Sequence, residues 1–122
     1  MGSEEGGGSL AYWNDRFSRD HAVVAEKAGV IVGIGTAKPP AYFDMLYVHK
    51  GYQRIGVAAL IADEIERLLR DNGTTVITVD ASITAKPFFK KRGYAVLREQ
   101  SVETRGQFLT NFKMKKIFAE TD

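Results

Sequence analysis

The stretch Leu46-Tyr47-Val48-His49-Lys50-Gly51-Tyr52-Gln53-Arg54-Ile55-Gly56-Val57-Ala58 decides the fold. Its first three residues end an apolar run over 42–48 that predicts a strand, and its last residues open a run over 54–70 that predicts a helix. In that second run Ala58, Ile61, Ile65, Leu68 and Leu69 recur at helical spacing, while Asp63, Glu64, Arg67 and Arg70 turn away from them. A strand therefore passes through a short loop into a helix N-terminus. The first amides of a helix lack intrahelical acceptors and carry partial positive charge, which suits a phosphate group. At Gly56 a ligand can approach the backbone, because a side chain there would stand where a pyrophosphate oxygen has to sit. Small Ala58 keeps the next turn open, and Gln53 and Arg54 can add donors. No Gly-Lys-Ser/Thr follows, which argues against a nucleoside-triphosphate P-loop, and the later glycine and acid of a dinucleotide fingerprint are not in place.

Upstream, two β-branched runs at 22–25 and 30–34, joined through Lys27-Ala28-Gly29, predict an antiparallel hairpin. Pro39 and Pro40 stop its second strand, and the third strand follows with Leu46 and Val48 on one face. Further upstream, Leu10, Trp13 and Phe17 recur at spacings of three and four, predicting a short amphipathic helix over 9–19 capped by Ser9. Residues 1–9, mostly Gly, Ser and Glu, read as a flexible tail, leaving 10–122 as a single domain. Downstream, Asn72-Gly73 ends the long helix, and the β-branched run over 74–79 predicts a strand covered on both faces. Strand, helix and strand in that order imply a right-handed crossover between parallel neighbours. Residues 85–91 predict a short helix with Pro87 in its first turn and Gly93 as its stop. Strands over 94–99 and 108–114, with Arg105-Gly106 near the turn between them, complete the pattern.

Composition narrows the function classes. The 122 residues suit one domain, and a 44% hydrophobic, 26% charged balance is that of a globular chain with a core. No apolar run approaches the ~20 residues of a membrane span and the first residues do not form a signal peptide, so the expectation is a cytoplasmic protein with no membrane partner. There is no cysteine and there are two distant histidines, which leaves no thiolate chemistry and a poor basis for a metal site. A net charge of +2, from 17 basic and 15 acidic residues, does not imply nucleic acid. Lys113, Lys115 and Lys116 come with no stacking set or recognition helix and read as solubilising charge.

With Gln53-x-x-Gly56-x-Ala58 placed after Leu46-Tyr47-Val48, the sequence resembles the GNAT superfamily of acyl-CoA-dependent N-acyltransferases. Ala81-Ser82, Ala85-Lys86-Pro87-Phe88-Phe89-Lys90-Lys91-Arg92-Gly93-Tyr94 and the final strand around Asn111-Phe112-Lys113-Met114 resemble the family's later elements, in order, over roughly 10–118. The resemblance implies an α/β (α+β) fold: a mixed, mostly antiparallel sheet splayed at a central strand and flanked by helices. It implies acetyl-CoA as co-substrate, with no metal. The backbone of Met45, Leu46 and Val48 would pair with the pantetheine arm, and Gln53, Arg54, Gly56, Val57 and Ala58 would take the pyrophosphate. Ser82 and Phe89 would flank the pantetheine, and one of Lys86, Lys90, Lys91 and Arg92 would meet the adenosine 3′-phosphate.

The implied reaction is N-acetyl transfer by direct attack of an amine on the thioester. Two departures bear on it. Many members have a tyrosine, which protonates the leaving thiolate, where this chain has Phe89; Tyr47 and Tyr52 are the substitutes to test. The family's usual strand and helix ahead of residue 10 find no match, which leaves a sheet edge exposed or covered by a second subunit, hence the expectation of a homodimer. An amine with a pKa of about 10 must shed a proton before attack, so a carboxylate beside the central strand is the natural base. Asp44, two residues before Leu46 and on its face if alternation holds, is the first choice, and Asp80 the second. His49 reads as a loop residue, and His21 has no chemistry around it. The alternative is a non-catalytic acyl-CoA-binding sensor or interaction module. The acceptor itself is not written in these residues.

Overall fold

A computed structural model describes the backbone of residues 9–14 and 21–118 and the side chains of 21–118. The chain forms two compact units, one up to Gly73 and one from Thr74. No helix among the described residues is long and apolar enough to cross a membrane.

The first unit is an antiparallel meander of β1 (Ser9–Asn14), β2 (His21–Lys27), β3 (Val30–Lys38) and β4 (Tyr42–Val48), followed by α1 (Val57–Asp71). The β2–β3 turn has positive φ at Ala28 and Gly29, the geometry that matches strand twist in a two-residue hairpin. The first correction concerns residues 9–14, which form β1 and pair with β2 from Ser9 opposite Glu26 to Asn14 opposite His21. The helix expected over 9–19 is thus a strand in its first part, and 15–19 lie outside the described residues. Three apolar residues at helical spacing are a short signal, and the open edge of β2 supplies backbone partners that an isolated helical turn lacks.

The second correction concerns the start of α1. The helix begins at Val57 rather than at 54, because Arg54 and Gly56 have φ of +68° and +90° and cannot sit in a right-handed helix. It ends as expected, with Gly73 at φ +93°. Val57, Ile61, Ala62, Ile65, Leu68 and Leu69 are buried, against a sheet face that includes Val23, Ala25, Ala37 and Phe43.

Two glycines of β3 set how closely helix and sheet approach. A Cβ on Gly33 would lie 2.8 Å from Ile61 Cδ1 and 2.9 Å from Val57 Cγ1, and one on Gly35 would collide with Ile61 Cγ2. Gly33 and Gly35 therefore face α1 and replace side-chain volume with helix side chains. Facing residues of an antiparallel pair share a side, so Val48 and Leu46, opposite Gly33 and Gly35, also face α1, whereas Tyr47 and Met45 face away.

The second unit is β5 (Val76–Ser82), α2 (Lys86–Lys91), β6 (Ala95–Thr104) and β7 (Gln107–Ile117), with β7 paired antiparallel to both β5 and β6. Ile77, Val79, Ala81, Phe89, Tyr94 and Met114 form its core. The opposite face of β5 is only half-covered at Val76, Thr78 and Asp80, less than its apolar sequence implies. β6 and β7 run well past the strands expected over 94–99 and 108–114. At the hairpin end the added residues are 100–104 and Gln107, exposed except at Gln100, so they carry no apolar alternation to read, and the hairpin closes through Arg105 and Gly106 at φ +53° and +80°.

The close approach at β3 yields a stability prediction. Gly35→Ala should destabilise the protein by about 1–3 kcal/mol through overpacking, and it should cost less than that in an Ile61→Ala background, where the colliding Cγ2 is gone. Denaturant midpoints of the single and double variants test it, and a neutral Gly35→Ala would show that α1 moves away freely.

Candidate functional site

β4 carries a bulge. Across from it Thr36 pairs with Met45 and Ala37 with Phe43, so Asp44 is the extra residue between them. Its carboxylate Oδ2 accepts a hydrogen bond from Thr36 Oγ1 at 3.3 Å, and Thr36 lies on the face of Met45 and Tyr47. Alternation therefore does not hold, and the bulge turns Asp44 away from the α1 face to which Leu46 belongs. Asp44, Met45 and Tyr47 share one exposed face. The structure thus brings Asp44 and Tyr47 to the same side of the sheet.

The backbone of β4 is sorted in the same way. His49 donates its N–H to Val32 O at 2.7 Å, so by alternation Tyr47 and Met45 direct their backbone groups toward β3, and Val48 and Leu46 direct theirs away from it. Val48 O accepts from Gln53 Nε2 at 3.4 Å, in keeping with that direction. Of the three residues expected to pair with an extended ligand, Leu46 and Val48 have the suitable orientation and Met45 does not.

The loop into α1 is built from local hydrogen bonds. A 3-10 turn, Lys50–Tyr52, is capped by His49, whose Nδ1 accepts from Gly51 N at 3.1 Å. The ring stacks edge-on to Tyr52 with centroids 5.5 Å apart. His49 is a loop residue, as its position implied. After Gln53 the chain takes a left-handed conformation at Arg54, which costs a residue with a side chain about 1–2 kcal/mol and concentrates where loops clamp ligands. Gly56 caps α1 with φ +90° and without a side-chain bond, and the space where its Cβ would stand is open. Gln53, Arg54 and Gly56 are exposed, Ala58 is half-buried, and Val57 turns inward. An uncapped helix start therefore opens onto clear space, with a guanidinium and a carboxamide on its approach.

In the second unit, Ser82 Oγ accepts from Ala85 N at 3.1 Å and holds the turn into α2. Phe89 is buried, its ring edge-on to Phe88 and Tyr94 at 5.2 and 5.1 Å, so it serves the core of this unit. Among the basic residues of α2, Lys86 lies over the Phe112 ring at 4.2 Å and Arg92 near Phe88 at 5.8 Å, while Lys90 and Lys91 are exposed. Asp80 is within β5, not at its end. Its Oδ1 accepts from Gln100 Nε2 at 3.0 Å and lies 3.7 Å from Lys113 Nζ, and Gln100 also donates to Asn111 at 2.8 Å. This cross-strand network gives Asp80 a structural task. Among the described residues, no group of three or more His, Asp or Glu is placed to hold a metal ion.

The sequence reading missed Gly33, Gly35 and Thr36. The signal for the glycines was present as Gly-x-Gly inside a β-branched run; Thr36 had none, because its role depends on the register of β3 with β4.

A family model described as an acetyltransferase (GNAT) domain matches residues 9–117. The uncharacterized N-acetyltransferase YafP of Escherichia coli (strain K12) is 37% identical over 103 residues, which are 84% of this chain and 65% of that protein. The crystal structure of "GCN5-Related N-acetyltransferase: Aminotransferase, Class-II" from Rhodopseudomonas palustris matches with TM-score 0.79 and 37% identity over 81% of this chain and 62% of that one. A putative streptothricin acetyltransferase from Bacillus anthracis, solved in complex with acetyl coenzyme A, matches at TM-score 0.74 and 15% identity over 87% of this chain and 66% of that one, a likeness of fold alone. The chain thus spans 65% and 62% of the lengths of the two relatives at 37% identity.

Proposed function

The chain belongs to the GNAT acetyltransferase family, and from that premise we propose that it transfers an acetyl group from acetyl-CoA to an amine. The observation that carries the reading is the start of α1: a helix N-terminus with no side-chain cap, behind a glycine at φ +90° with open space before it. The diphosphate lies there on the first amides of α1, with Gln53 and Arg54 as added donors and small Ala58 giving room. Buried Val57 contributes its backbone. The pantetheine runs along β4 against the backbone of Leu46 and Val48, as an added strand would. Ser82 and Phe89 enter this reading as supports of α2 and its turn.

In the reaction, the acceptor ammonium gives a proton to the Asp44 carboxylate, and the freed nitrogen lone pair attacks the thioester carbon. A backbone amide of β4 stabilises the tetrahedral oxyanion. The C–S bond then breaks, the CoA thiolate leaves and takes up a proton from Tyr47 or from water, and the new amide nitrogen gives up its remaining extra proton to the resulting phenolate or to water. Exposure of Asp44 and Tyr47 on one face of the sheet supports this assignment. The reading carries with it a cytoplasmic setting, an amine-bearing partner rather than nucleic acid or membrane, and a homodimer. The exposed Val102, Phe108 and Leu109 of the β6–β7 hairpin support the last.

A second reading, a non-catalytic acyl-CoA-binding module, is favoured by one observation: Phe89, where many family members place the proton-donating tyrosine, is a buried packing residue. Turnover separates the two.

Three outcomes are expected. In calorimetric titration with acetyl-CoA, Gly56→Glu should weaken binding at least about 100-fold, while Gly56→Ala, which carries the same left-handed backbone cost of about 1–2 kcal/mol, should bind far better than the glutamate variant. Equal affinities in wild type and Gly56→Glu would refute the diphosphate placement. Asp44→Asn should lower kcat about 10²–10⁴-fold on a panel of primary amines with little change in acetyl-CoA affinity, and a wild-type rate would remove Asp44 as base. Sedimentation should give the mass of a dimer at micromolar concentration; a monomer throughout that range would dispose of the homodimer.

A further inference from the structure

We propose that Thr36 is a positioning residue for the acceptor base: its hydroxyl holds the Asp44 carboxylate in one rotamer, with one oxygen turned to the incoming amine. This rests on the reading of Asp44 as the base. Asp44 is the extra residue of a β-bulge, where the backbone is released from regular pairing, and its side chain is exposed. Being exposed, the short carboxylate is not held in one rotamer by burial in the core. Thr36 lies across the bulge on the non-bulged strand, paired with Met45 on the same face. Its branched side chain has few accessible rotamers, which makes it a stiff mount for a donor.

The contact divides the carboxylate. Thr36 Oγ1 donates to Oδ2 at 3.3 Å, which leaves Oδ1 to take the amine proton. At 3.3 Å the bond is long for a hydroxyl and a carboxylate. The donor is also of a suitable kind. A lysine would bind the carboxylate as an ion pair, the arrangement of Lys113 beside Asp80 in the other unit, and would compete with a substrate ammonium. A neutral hydroxyl fixes the geometry and leaves the negative charge for the acceptor. During transfer the Thr36 hydroxyl loses no proton; the proton passes from the amine nitrogen to Oδ1 alone.

The test uses Thr36→Val, which keeps the branched shape and removes the donor, and Thr36→Ser, which keeps the donor. With acetyl-CoA and the best amine of the panel, Thr36→Val should lower kcat about 5–20-fold with both KM values within about twofold. Thr36→Ser should stay within about threefold of wild type. Thr36→Val added to Asp44→Asn should cost nothing further, since the hydroxyl acts only through that carboxylate. An acceptor-independent readout accompanies these rates: three-bond couplings of Asp44 measured by NMR should report one χ1 rotamer in the wild type and averaging in Thr36→Val. Averaged couplings in the wild type, or a wild-type rate in Thr36→Val while Asp44→Asn is slow, would overturn the role of Thr36 and leave the base in place. Wild-type rates in both variants would overturn the base itself, and the positioning role with it.

Discussion

The packing of α1 against β3 is the constraint on which the first unit depends. A helix laid on a sheet stands off by the height of the intervening side chains, and Gly33 and Gly35 remove that height where Ile61 and Val57 press down. The approach fixes the depth of α1 and thereby the place of its first turn. Because Val57 is both the first residue of the helix and one of the side chains packed over Gly33, the helix start is anchored by the core itself. The exposed loop before it can then adopt the left-handed turns at Arg54 and Gly56, whose strain is borne by this rigid base.

The same register sorts β4 into two uses. Residues opposite the glycines, Leu46 and Val48, turn their side chains to α1 and their backbone groups away from β3. One bulge upstream breaks the period, and Asp44 joins Met45 and Tyr47 on the other face. A single extra residue thus keeps the carboxylate on the exposed face, where strict alternation with Leu46 would have directed it toward the apolar side of α1 at a desolvation cost.

The second unit distributes its polar residues differently. Asp80, Gln100, Asn111 and Lys113 satisfy one another across three strands, so the acid is held by structure. On the other face Phe89 stands edge-on to both Phe88 and Tyr94, and lysines lie over the rings of Phe112, Tyr94 and Phe118. Phe89 and Tyr94 are buried in the core of this unit, and several basic residues nearby are drawn onto ring faces.

Periodicity and punctuation in the sequence were enough to read the β2–β3 hairpin, β4, the body of α1, α2 with its early proline, and the helix stop at Gly73, because those features depend on residues near one another in the chain. The Gln53-x-x-Gly56-x-Ala58 pattern likewise made the family legible, since its function lies in a local backbone shape. The rest was decided by pairing between distant residues. Ser9–Asn14 became a strand because β2 offered an edge; β6 and β7 grew long because backbone ladders need no apolar pattern; Asp44 changed face because β3 and β4 differ by one residue across their pairing. Strand register is a non-local quantity with a period of two, so one inserted residue reverses which side chains meet, and no window of sequence around Asp44 contains Thr36's half of that decision.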